Sequence, residues 1–260
     1  MVINPTGQYA TEGNLASRQR LWSTGRRVPN FDFVSWVLDL AGVAQGGTQR
    51  VLDVGCGNGI YERAFVKRGH QGPRVAVDLS AGMLQLVSDA AVVLADAQSL
   101  PFSPSCFDLV LAPHMLYHVP DIEVAASEIR RVLQPEGLFV AVTNSISNLQ
   151  ELRALVEAAV GTGWRMIQSS AQHFNMEGGA ALLSSAFESV VRVDCPPSHL
   201  VVTDVNALTD YVASVADPYQ AEVDIPWSEV VNRVHELAGT AMSRDGELRL
   251  STGVGAFVCR

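Results

Sequence analysis

Residues 50–59 read Arg-Val-Leu-Asp-Val-Gly-Cys-Gly-Asn-Gly, and no other stretch restricts the possible folds so tightly. Val51, Leu52 and Val54 form the short apolar run of a parallel strand covered by helices on both faces. Asp53 interrupts the run where a doubly covered strand has no room for a solvated charge, so it is expected beside a ligand or a hydrogen-bonded turn. Gly55, Gly57 and Gly59 omit the β-carbon at alternate positions. The backbone can then turn sharply, and a ligand can lie against main-chain N–H groups at the start of the next helix. A dinucleotide fingerprint would need Gly-x-Gly-x-x-Gly, but its third glycine falls on Ile60.

The stretches that follow repeat one pattern, a strand that stops at an acid. Arg74–Val77 reads as a second strand ending at Asp78, and Ala91–Ala95 as a third ending at Asp96. An acid about 20 residues beyond such a glycine turn is placed to accept from ribose hydroxyls. Ser80 can cap the next helix, while Leu79 and Met83 can pack on an adenine ring. Asp96 can accept from the adenine amino group and Ala97 can donate its N–H to a ring nitrogen. Phe107–Ala112 is a fourth strand, and Pro113-His114-Met115-Leu116-Tyr117-His118-Val119-Pro120-Asp121 lies beyond its carboxyl end, the edge that borders ligands in open α/β sheets. Asp121 is a helix N-cap candidate, and Leu138–Thr143 is a fifth strand.

Four ordered segments carry a family resemblance: residues 51–59; Val-Asp-Leu-Ser-Ala-Gly-Met (77–83); Ala-Asp-Ala (95–97); and Leu-Pro-Phe-Ser-Pro-Ser-Cys-Phe-Asp-Leu-Val (100–110). They resemble motifs I to IV of the class I S-adenosylmethionine (SAM) dependent methyltransferases, and the likeness covers about residues 48–145. Glu136 departs from the Pro-Gly-Gly usual before strand five. The resemblance implies SAM as cofactor and S-adenosylhomocysteine as product. Asp53, Gly55, Cys56, Gly57, Gly59, Asp78, Leu79, Met83, Asp96, Ala97 and Pro113 are the residues expected to hold it, with Tyr9 and Arg18 reaching in from a lid. Cys56 is expected to serve as a small residue of the turn and not as a nucleophile.

The ends of the chain have no such signature. Residues 14–22 can form a helix, with Tyr9, Arg18 and Trp22 in a lid, or a surface helix with Leu15 and Leu21 packed down. Asn30 is placed to cap a second helix whose apolar face is Phe33, Trp36, Val37 and Leu40. Beyond residue 146 the periodicity gives helices over 149–160 and 179–186, then strands over 187–193 and 253–259. Between those strands, residues 194–251 form an insertion with helices over 205–215 and 227–242, read as a cap on the substrate crevice or as an oligomer surface. The expected fold is α/β: a Rossmann-like, doubly wound, seven-stranded sheet with an antiparallel edge, an N-terminal helical lid and an inserted helical cap. The expected map is a lid over 1–45, a SAM-binding core over 46–145 and a C-terminal half over 146–260.

Methyl transfer from a sulfonium needs nucleophile, methyl carbon and sulfur in line, and a base only where the acceptor keeps a proton. His114, nearest the strand end, is the first candidate for that base. His118 is the second, and it resembles a histidine common at this place in small-molecule methyltransferases, where it can be structural; His173 is a distant third. Tyr9, Trp22, Tyr117, Phe174, Tyr211, Tyr219 and Trp227 are candidates to line an apolar pocket.

Composition narrows the acceptor. The formal charge of −9 lacks the clustered cations a nucleic-acid surface needs. Ala112-Pro113-His114-Met115 also lacks the Asn/Asp-Pro-Pro-Tyr/Phe element by which enzymes that methylate base amines resemble one another. Cys56, Cys106, Cys195 and Cys259 have no paired spacing, so neither disulfides nor a metal site is expected. The polar start of the chain and the lack of an apolar run near ~20 residues give the cytoplasm as expected compartment, with no membrane partner. The reading is methyl transfer from SAM to O, N or C of a small organic molecule such as a specialised metabolite, by a monomer or homodimer. A SAM-binding fold that rearranges or senses instead of methylating, and a protein or tRNA methyltransferase, remain alternatives.

Overall fold

The computed structural model describes residues 13–161, 163–166, 173–217 and 219–260. Its strands in chain order are β1 (Arg26–Val28), β2 (Val51–Val54), β3 (Arg74–Asp78), β4 (Ala91–Leu94), β5 (Phe107–Pro113), β6 (Leu133–Asn144), β7 (Val190–Asp194), β8 (Ser198–Val202), β9 (Leu248–Thr252) and β10 (Val254–Cys259). The α-helices are α1 (Gly13–Thr24), α2 (Phe33–Leu40), α3 (Ile60–Lys67), α4 (Ala81–Leu84), α5 (Ile122–Val132), α6 (Gln150–Val160), α7 (Gly179–Leu183), α8 (Val205–Ser214) and α9 (Trp227–Asp245).

Seven strands form the main sheet in the order β4-β3-β2-β5-β6-β10-β7. β2 to β6 pair in parallel, and β10 runs antiparallel between β6 and β7, which is the expected antiparallel edge. Period-2 alternation sorts the side chains onto two helical layers. Leu109 and Leu111 of β5, with Val140 and Val142 of β6, pack with Phe65 of α3 and Val37 of α2. Val110, Ala112, Phe139 and Ala141 pack on the other face with Ala125 and Ile129 of α5. Both faces are therefore dry, as the unbroken apolar strands require.

Local signals hold at several helix starts. Asp121 caps α5 by accepting from the Val124 N–H at 3.1 Å, and Ser80 caps α4 by accepting from the Met83 N–H at 3.3 Å. The cap of α2 differs from expectation. Asp32, not Asn30, accepts from the Ser35 N–H at 3.1 Å, because the helix begins at Phe33.

The larger difference lies at the chain's ends. β1 pairs antiparallel with β8, and β8 with β9, in a separate three-stranded sheet. A second apolar core forms around it from Leu21 of α1, Leu152 and Val156 of α6, Leu200 of β8, Leu208 and Val212 of α8, and Trp227, Val230 and Val234 of α9. The lid is thus partly strand, and the cap extends beyond an insertion at 194–251: it recruits α1, β1 and α6 to complete its interior.

Candidate active site

β2 and β5 lie side by side, and the chain leaves them for opposite ends of the sheet. This is the topological switch point, where open α/β sheets leave a crevice at the carboxyl ends of their strands. The turn after β2 enters that crevice. Gly55, Gly57 and Gly59 have φ of 69°, 54° and 73°, a region where a side chain is strained. A β-carbon on Gly55 would lie 2.6 Å from Cβ of Met115, so the loop after β5 rests directly on the turn. Around Gly57 the space is open except for Leu15 Cδ2 of α1, 3.6 Å from where a β-carbon would sit.

The three strand-end acids do different work. Asp53 is fully buried, and neither carboxylate oxygen has a hydrogen-bond donor. Burial, then the negative charges of Glu62 and Asp78, raise its pKa well above the usual carboxylate range. Asp78 holds the glycine turn itself, one oxygen accepting from the Gly57 N–H at 2.9 Å and the other from the Ser80 N–H at 2.8 Å. Burial lifts its pKa, while those N–H groups pull it down. Asp96 is turned toward Gln98, whose N–H donates to it at 2.8 Å and whose carboxamide donates at 3.1 and 3.2 Å.

These residues suit a cationic nucleoside sulfonium. A sealed carboxylate without donors favours positive charge nearby, the Gly57 face has room for a ligand, and Leu79, 43% exposed, offers an apolar surface beside Asp78. Asp53, Asp78, Leu79 and the glycine backbone are thus the groups that would hold SAM. One expected contact changes character. Met83 is 1% exposed and lies inside the protein instead of presenting a surface to an adenine. Cys56 is buried and its thiol pKa is pushed far up, first by burial, so it is an inert filler of the turn. Ala97 and Pro113 are likewise buried, at the ends of β4 and β5.

α1 covers the glycine turn. The Asn58 side chain donates to Oε1 of Gln19 at 2.9 Å, and Nε2 of Gln19 donates back to Oδ1 of Asn58 at 3.4 Å. Arg18 donates to the Ser214 hydroxyl and carbonyl at 3.3 and 3.0 Å, and Arg20 pairs with Asp204 and Asp210. Arg18 therefore fastens the lid to the cap, a role the sequence did not show. Tyr9 lies outside the described residues.

His114 has a positive φ of 56°, and its backbone N–H donates to Val142 at 3.0 Å, which turns the half-buried ring toward Phe33 at 5.8 Å between centroids. Its pKa is pushed down to about 4 by burial and, secondarily, by the Arg27 guanidinium. The His118 ring packs edge-on against Tyr117 at 4.5 Å; burial and then Arg18 lower its pKa to about 4. His173 lies next to Phe174, its Nε2 buried without a partner.

Three aromatics expected in a pocket belong to interiors. Phe174 packs on Phe257 at 5.7 Å under the main sheet. Tyr219 stacks on Trp227 at 5.5 Å, and the Trp227 indole donates to Val212 O at 2.9 Å inside the cap. The residue missed at the crevice is Arg27 of β1. Its guanidinium carbon sits 5.4 Å from the ring centres of Phe31 and Phe33 and 5.9 Å from that of Trp22. Its signal, a cation within a few residues of three aromatics, has no helical or strand period. Among the described residues no group of three His, Cys, Asp or Glu side chains is placed to hold a metal, and no helix is long and apolar enough to cross a membrane.

Comparison with known proteins agrees with this geometry. A methyltransferase-domain family model matches residues 52–141. A malonyl-[acyl-carrier protein] O-methyltransferase of Halorhodospira halophila is 33% identical over 184 residues, 65% of this chain and 60% of the relative. A demethylmenaquinone methyltransferase of Staphylococcus aureus is 36% identical over 112 residues, 40% of this chain and 46% of the relative. The human mitochondrial arginine-hydroxylase NDUFAF5 is 28% identical over 156 residues, 56% of this chain and 45% of the relative. The chain spans between 43% and 60% of the length of these and similar curated relatives. A protein of Anabaena variabilis assigned to an antibiotic-biosynthesis pathway shares the fold, with a TM-score of 0.63 at 16% identity over 87% of this chain and 96% of that one. Ordered motifs, strand order and domain match together identify residues 52–141 as a methyltransferase domain of the class I SAM-dependent type.

Proposed function

We propose that the chain transfers the methyl group of SAM to O, N or C of a small organic acceptor, in a crevice bounded by α1, the loop after β5 and the cap. One observation carries the reading: the glycine turn at the switch point, held from below by Asp78 and packed against Met115, with a donor-free carboxylate at Asp53. The names of the curated relatives support a small or carrier-borne acceptor. The net charge of −9 supports the absence of a nucleic-acid partner. A specialised metabolite is the acceptor class we favour, and the cytoplasm the compartment.

SAM supplies an activated methyl group. The protein contributes alignment, worth roughly 7–11 kcal/mol in well-oriented model reactions. The turn would fix the donor, with Leu15 of the lid facing it across Gly57. His114 is neutral at neutral pH, so its ring can receive the proton of an O–H or N–H acceptor. His118, packed on Tyr117, braces the same loop.

Calorimetry with SAM and S-adenosylhomocysteine, followed by labelled-methyl transfer into pools of small acceptors, tests this. Micromolar binding with labelled product is the expected result. Binding without product from any pool would favour a non-methylating use of the fold, and no binding would overturn the reading.

A further inference from the structure

Arg27 is a half-buried cation without an anionic partner among the described residues. Its Nε is sealed from solvent with no hydrogen-bond partner, and among the described residues its guanidinium makes neither a hydrogen bond nor an ion pair. Three aromatic rings, Trp22, Phe31 and Phe33, surround it at 5.4–5.9 Å. Rings attract the charge through their faces, but they offer no acceptors to five N–H donors. Burial pulls its pKa below the ordinary value, with Cys195 only partly offsetting the loss of hydration. Phe33 bridges from this cation to His114, whose ring lies at the carboxyl end of β5. The unsatisfied donors therefore sit on the acceptor side of the crevice.

We propose that Arg27 anchors a carboxylate of the methyl acceptor, so that the substrate class is a small organic acid with an apolar body. The proposal rests on the methyl-transfer reading and names the substrate of that same site. A planar guanidinium fork matches a carboxylate through two parallel N–H···O bonds. Charge balance favours a monoanion over a phosphate dianion: His114 is neutral, and Arg18, the cation acting on the neighbouring His118, already donates to Ser214. Phe31, Phe33 and Trp22 supply the apolar walls. An anion on Arg27 would also cancel the positive field that depresses His114, raising the basicity of that ring only when acceptor is bound.

The test uses the full chain saturated with S-adenosylhomocysteine and a series of aryl and alkyl carboxylates, each paired with its carboxamide and, for the aryl members, with the phenyl phosphate analogue. Binding is read by calorimetry and by quenching of Trp fluorescence. At least one carboxylate should bind about 10- to 100-fold more tightly than its amide. Arg27→Gln should abolish that preference and Arg27→Lys should reduce it, both leaving affinity for S-adenosylhomocysteine unchanged. Equal binding of every acid and amide, or an acid preference that survives Arg27→Gln, overturns the proposal; a phosphate analogue that binds best overturns the choice of carboxylate. Loss of S-adenosylhomocysteine binding by the unaltered protein would instead sink the methyl-transfer reading, and the two failures are distinct. If Arg27→Gln does not fold, Arg27→Lys and the acid–amide comparison on the unaltered chain still decide.

Discussion

The main sheet and the cap are built by opposite means. Strands β2 to β6 follow one another in sequence, those at the switch point lead straight into the candidate site, and their helices cover them locally. The cap draws α1, β1, α6, β8, α8, α9 and β9 from both ends of the chain around one apolar interior, and its buried polar groups mostly tie segments together. The proposed donor site is a property of a local turn, whereas the cap is held by distant pairings. Damage to each should therefore appear in different measurements.

Removing the indole at the centre of the cap gives the largest effect. Trp227→Ala leaves a cavity beside Tyr219 and frees Val212 O, and should cost ~3–5 kcal/mol in denaturant unfolding while leaving SAM affinity within about threefold. A large loss of donor affinity would erase the division. Gly55→Ala is its converse. At φ 69°, with a β-carbon 2.6 Å from that of Met115, it should destabilise by about 2–4 kcal/mol and weaken SAM binding at least about 100-fold by calorimetry.

Acid sharpens the comparison at the boundary. His114 and His118 have pKa values lowered from 6.5 to about 4, so the unfolded chain binds their protons first. Their neutral-state stability is complete above pH 6.5 and is lost as the pH falls toward about 4. The double variant His114→Gln/His118→Gln should flatten that part of the stability profile by roughly 1–3 kcal/mol. An unchanged slope would show that both rings protonate freely in the folded protein. The smallest effect belongs to the lid latch: Asn58→Ala removes both bonds to Gln19 and should cost about 1 kcal/mol, with a severalfold rise in the SAM dissociation constant.

The same contrast explains what could be read in advance. Val51–Val54, Arg74–Asp78 and Phe107–Pro113 announce themselves because a strand covered on both faces must be apolar and a turn against a ligand must shed its β-carbons. Asp53 within β2 and Asp78 at the end of β3 follow from the same constraint. β1 is three residues long and two of them are arginines, so its strand character comes only from pairing with β8. Asn30 and Asp32 are equal as cap formers on paper, and the start of α2 at Phe33 decides between them. Tyr219, Trp227 and Phe174 look alike as wall or core until the packing is known. Arg27 was hidden for a related reason: a cation gains meaning from the anion it lacks, and no spacing records that.

The join between β1 and β8 governs the order in which a ribosome can finish this protein. Residues 26–28 must wait for 198–202, some 170 residues later in the chain, and β9 at 248–252 completes the small sheet later still. Until then Leu21 and the apolar side of α1 have no neighbours to cover them. The parallel strands can assemble first from nearby segments, so the nascent chain passes through a stage with a formed nucleotide shelf and an open roof, the stage most exposed to aggregation.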